Sequence, residues 1–85
     1  MIKPGALNER DPADATTLQI ACHRAAKNYP GGITAIADLY GFNRNTFQQK
    51  INPNEPGCIN LREFEAILKA TKSPLIVDAL AELLG

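Results

Sequence analysis

The chain reads as an all-α protein of one domain, five short helices around a single core, with the second and third helices forming a helix-turn-helix. Three observations predict this. Apolar residues recur at helical spacing in five separate stretches, and no long strand pattern interrupts them. The breaks between stretches carry Gly, Pro, Asn or Ser at positions where helices start and stop. The composition, 45% hydrophobic with no Trp over 85 residues, leans on Ala, Leu and Ile and suits small helices packed closely.

Residues 1–10 contain Pro4, Gly5 and scattered charges without a period, and are expected to form a flexible arm ahead of a helix-turn-helix domain over 11–85. Asp11-Pro12-Ala13-Asp14 is a helix start, with Asp14 and Thr16-Thr17 a competing start three residues later. Leu18, Ala21, Cys22 and Ala25 then repeat at i, i+3, i+4 and i+7, and Tyr29 continues that face. Arg24, Lys27 and His23 fall on or near the polar side, as phosphate contacts or as solvated charges.

Pro30-Gly31-Gly32 breaks the chain without the spacing of a nucleotide-binding loop, and is expected to leave the first amides of the next helix bare. In that second helix Ile33, Ile36, Ala37 and Tyr40 share a face, and Gly41 closes it in the left-handed conformation. Small Ala37 lets a following helix cross closely. Asn43 caps the third helix, Arg44 to Ile51, which buries Phe47 and Ile51 and stops at Asn52-Pro53.

The outer surface of the third helix is the candidate site. Arg44, Asn45, Thr46, Gln48, Gln49 and Lys50, with Asn43 and Asn52 at its ends, include no acid. Arg, Asn and Gln are the side chains that pair with guanine and adenine edges in the major groove, which makes double-stranded DNA the expected partner. Thr34, Lys50 and the amides after Gly31 are expected to meet phosphates. The bland reading is a polar helix on a small bundle that happens to lack acids.

After a turn-rich loop from Asn52 to Gly57, Asn60-Leu61-Arg62-Glu63 forms a capping box, with Ile59 and Phe64 as its hydrophobic staple. Phe64, Ile67, Leu68 and Thr71 give the fourth helix its buried stripe. Ser73-Pro74 opens a fifth, from Pro74 to Leu84, that is apolar nearly all round. Ile76, Ala79, Leu80 and Leu83 serve the core, which leaves Leu75, Val77, Ala81 and Leu84 for a homodimer or higher homo-oligomer interface, unless the helix is simply more central.

Charge and cysteines narrow the function. The net charge is zero, yet up to Lys50 six basic residues face four acidic ones, net +2, and beyond it three face five, net −2. Between His23 and Lys50 the only acid is Asp38. So small an excess predicts moderate non-specific affinity and reliance on dimerisation. Cys22 and Cys58 form no CxxC, and neighbours such as Cys22 and His23 point about 100° apart on a helix, so neither a metal site nor a Cys/His catalytic pair is expected. No cofactor is implied. Two unpaired cysteines and the lack of a leader or a membrane-length apolar run predict a soluble protein of the cytoplasm, with no membrane partner.

From Tyr29 to Gly85 the chain resembles the phage regulatory proteins of the CII type, through PGG before the second helix, NT within the third, the INP ending and the ATKSPLIVDAL stretch. The helix count and the capped helix after the loop are also similar to the five-helix lambda-repressor-like DNA-binding fold. The resemblance implies a transcription regulator of lysogeny in a bacterial host cell. Two departures stand out. Lys50 occupies a position where many helix-turn-helix proteins keep an apolar residue, and proteins of this type usually extend further at the C-terminus, which implies a short relative or a fragment with weaker self-association. The competing function is a helical protein-protein interaction module without DNA binding. An enzyme is a distant third, because no carboxylate pair has a base or nucleophile at motif spacing.

Overall fold

The computed structural model describes residues 16–85, and these form five α-helices and no strand. They are α1 (Thr17–Asn28), α2 (Gly32–Tyr40), α3 (Arg44–Ile51), α4 (Leu61–Thr71) and α5 (Pro74–Leu84). The all-α, five-helix class expected from the sequence is therefore the observed one. The arm and the Asp11-Pro12 start lie outside the described residues. What caps α1 is Thr16, whose hydroxyl accepts from the Gln19 amide while Gln19 Oε1 accepts from the Thr16 amide. Two amides that a helix start leaves unpaired are satisfied by this reciprocal pair.

Helix α1 is the hub, packing on α2, α4 and α5, while α2 carries α3. Ala21, Cys22, Ala25 and Ala26 form its buried stripe, and these small side chains allow the neighbouring helices to approach. Against it lie Ile36, Ala37, Phe47, Ile51, Ile67, Ile76 and Ala79, with Leu18, Tyr29, Phe42, Ile59, Phe64, Leu68 and Leu80 packed at the margin. Burying each of the larger side chains, Phe47, Ile36, Ile67 and Ile76, contributes about 1.5 to 3 kcal/mol.

Several expected core positions differ. Tyr40 is 37% exposed because it occupies the last turn of α2, where its ring stacks on Phe42 at a centroid distance of 6.2 Å instead of entering the core. In α4 the fully buried positions are Glu63, Ala66 and Ile67, whereas Phe64, Leu68 and Thr71 are half-buried. Leu83 is 62% exposed, since α5 leans chiefly on α1 and its last turn passes the α1 start, where Thr17 and Glu82 border one groove.

Candidate nucleic-acid interface

The turn that joins α2 to α3 is built from three local devices. Gly41 has φ 77°, and its amide donates to the Ala37 carbonyl, as does that of Phe42 at 2.8 Å, so the end of α2 closes in the left-handed geometry that favours glycine. Phe42 then packs its ring 5.2 Å from that of Phe47. Asn43 caps α3, its side-chain oxygen accepting from the Thr46 amide at 2.9 Å. Together these set α3 across α2 with Ala37, Phe47 and Ile51 sealed between the helices and the rest of the core.

A helix rotates about 100° per residue, so burial of Phe47 and Ile51 turns Asn45, Gln48 and Gln49 outward and puts Arg44 and Lys50 on opposite flanks. Asn45, Thr46, Gln48 and Gln49 are exposed, and their side chains make no hydrogen bond to the described residues. The two cations behave differently. Arg44 donates from Nε to Asp38 Oδ1 at 2.8 Å and from Nη2 to Oδ2 at 2.6 Å, a two-pronged pair in which both side chains stay more than half exposed. Those hydrogen bonds hold the Asp38 carboxyl below its ordinary value. Lys50, expected on the outer surface against phosphate, instead turns its ammonium inward, 3.2 Å from Oε2 of Glu63, whose side chain is only 8% exposed. Glu63 Oε1 also accepts from the Asn60 amide at 2.8 Å, so one carboxylate caps α4 and anchors the end of α3.

The other expected contacts are also placed. Asn52 uses its side-chain oxygen to accept from the Asn54 amide in the loop after α3. Thr34 is half-buried in the first turn of α2. The amides after Gly31 are less bare than expected, because that of Gly32 donates to the Tyr29 carbonyl at 2.7 Å. Gly31, at φ 87° with no side chain to cap the helix, offers nothing to the amides that follow. A Cβ on Gly31 would lie 2.7 Å from that of Ala35, so no other residue fits without a shift. Near the α1 polar side, burial and then Lys27 lower the His23 pKa, which disfavours the cationic ring that a phosphate would attract.

Sequence reasoning missed the parts played by Asp38 and Glu63. Asp38 was visible as the lone acid of its region and Glu63 as a capping residue, but their partners lie across helix crossings. An apolar groove of about 330 Å³ lies between Leu18, Cys22, Cys58, Ile59, Leu61 and Phe64, and its described lining residues include no histidine, lysine or carboxylate. Burial, reinforced by nearby Cys58, pushes the Cys22 thiol up to about 11, which makes it a poor nucleophile. Among the described residues no helix is long and apolar enough to cross a membrane.

A family model described as phage regulatory protein CII (CP76) matches residues 16–85. The chain belongs to that family. The match spans all five helices, so the helical pair α2–α3 and the apolar α5 are both parts of a phage regulatory protein CII domain. The family points to regulation rather than catalysis. No curated protein and no solved structure matches the chain.

Proposed function

We propose that this phage regulatory protein CII relative is a sequence-specific double-stranded DNA-binding transcription regulator, acting in lysogeny control in the cytoplasm of a bacterial host. The observation that carries the reading is the outward face of α3. Uncharged Asn45, Gln48 and Gln49 stand clear of the fold beside Arg44, at the far side of a turn closed by Gly41, in the arrangement of a helix-turn-helix of the lambda-repressor-like kind. Asn43, Thr46, Asn52, Thr34 and the α2 amides are the neighbouring groups for sugar and phosphate. Lys50 supports α3 through Glu63 rather than meeting phosphate first.

A salt series of binding to random duplex DNA tests this. Affinity that falls steeply as salt rises supports it, and no affinity at low salt overturns it.

The second reading, a helical protein-interaction module, draws on α5, where Leu75, Val77, Leu83 and Leu84 are exposed together with Ala81. Within the DNA-binding reading that surface serves a homodimer or higher homo-oligomer, whose paired recognition helices would reach successive major grooves about 34 Å apart. Analytical ultracentrifugation separates the cases. Val77→Glu should convert a dimer to a folded monomer and weaken operator binding; a parent that is monomeric at tens of micromolar and still binds one half-site tightly removes the dimer.

A further inference from the structure

The contact between Asp38 and Arg44 is unusual for a surface pair. It is two-pronged and short, it joins the two helices of the DNA-binding unit, and it engages the first residue of α3, the end that approaches base edges in a helix-turn-helix. An exposed ion pair does little to hold a fold together. Its effect here is on the guanidinium. Asp38 occupies the side-on edge of Arg44, the Nε hydrogen and one of the Nη2 hydrogens, and leaves the end-on edge with both Nη1 hydrogens and the remaining Nη2 hydrogen.

Resting on the DNA-binding reading above, we infer that Asp38 is a specificity-determining residue: it fixes Arg44 so that the free end-on fork is presented to the O6 and N7 acceptors of a guanine, and it keeps that cation from settling on phosphates. A guanidinium held in a planar salt bridge has lost most of its rotamer freedom before DNA arrives, so less is lost when the fork docks. The carboxylate also repels the phosphates that an unrestrained arginine would seek, and it penalises any site at which the fork finds no acceptor pair. The pair as a unit is neutral, so it adds little to non-specific attraction. This matches a domain whose local charge excess is small. Asp38 touches no base in this arrangement; it acts by positioning Arg44.

The test is a selection from a random duplex library with the full chain, followed by titration of the enriched site against the same site with single base pairs replaced. The parent should show one guanine whose replacement costs about tenfold or more in affinity, and Arg44→Ala should abolish that preference. Asp38→Ala, and more mildly Asp38→Asn, should reduce the guanine preference to within about threefold of none while random-duplex affinity rises and the salt slope steepens by about one. Helical content and melting temperature are read alongside, so that a loss of fold in one variant is replaced by the other. Unchanged guanine preference in a folded Asp38→Ala or Asp38→Asn variant overturns the inference, as does an Arg44→Ala protein with the parent's full specificity. A parent that binds no duplex at any salt overturns the DNA-binding reading and the inference with it.

Discussion

The two ends of α3 use the same chemistry, a cation of the helix against a carboxylate of a neighbour, but differ in how wet the pair is. At the start, Arg44 and Asp38 have side chains 63% and 51% exposed; at the end, Lys50 is 33% exposed and Glu63 only 8%. Water and salt screen the first pair, so it adds little to the stability of the fold, and the end-on fork of Arg44 stays open to a ligand. In the second, Glu63 is cut off from solvent, and removing its partners leaves a charge with nowhere to go. One end of the helix is thus open to solvent while the other is fixed to the bundle, although both pairs join a cation of α3 to a carboxylate of a neighbouring helix.

The strongest way to break this comparison is to unseat the middle of the helix that both ends share. Ala37 is sealed in the core where α2 carries α3, and Ala37→Leu should overpack that crossing by about 3 kcal/mol in urea unfolding. A fully stable variant would mean that α3 is held by its ends alone. Glu63→Ala should cost about 2 kcal/mol, through the lost α4 cap and the unpaired Lys50, while Glu63→Gln, which still accepts from the Asn60 amide, should cost less. Equal losses for the two variants would assign the whole effect to the ion pair.

At the exposed end the prediction reverses. Arg44→Ala or Gln48→Ala should leave the melting temperature where it is and weaken specific-site binding by about 1 to 3 kcal/mol. Lys50→Met, at the buried end, keeps the apolar stem beside Gly57 but leaves the Glu63 carboxylate without its cation, and should cost about 2 kcal/mol of stability with only a small direct effect on DNA affinity. A drop in the salt slope of about one for this variant would return Lys50 to the phosphates.

The smallest effect is kinetic. Cys22 lies beside the α4 start, in the groove with Asn60 and Leu61, and with its thiol at about 11 it should be alkylated far more slowly at pH 8 than exposed Cys58. Glu63→Ala, by loosening the first turn of α4, should speed the Cys22 reaction, and Asp38→Ala should not. The raised thiol pKa also sets a sign. The folded state holds that proton above pH 9.0, where the unfolded chain releases it, so stability should decline as pH rises beyond 9.0 and Cys22→Ala should flatten the decline.

Local signals made most of the fold legible. Gly41, Asn43, Asn60 and Ser73 stand at the helix boundaries expected of them, since a cap is decided by a residue and its nearest neighbours. The α1 start was less clear because Asp11, Asp14 and Thr16 all suit a cap, and the deciding partner is Gln19 three residues on. The outward set Asn45, Gln48 and Gln49 followed from periodicity. The partners of Arg44 and Lys50 did not, because they depend on which helices cross and at what angle, and a sequence pattern carries no such angle. The same limit explains Leu83: its face on α5 was readable, but not how far α1 would accompany it.

The double engagement of Glu63 also bears on how this domain can vary. Lys50 and Glu63, thirteen residues apart, clasp the base of the loop between α3 and α4, so the closure is set by the ion pair and the cap rather than by the loop's own sequence. Closing a flexible loop twice as long costs only about 0.6 kcal/mol more. Insertions between Asn54 and Gly57 should therefore be tolerated while the clasp remains, making this the natural place for relatives to differ in length or for a tag to be introduced without moving α3.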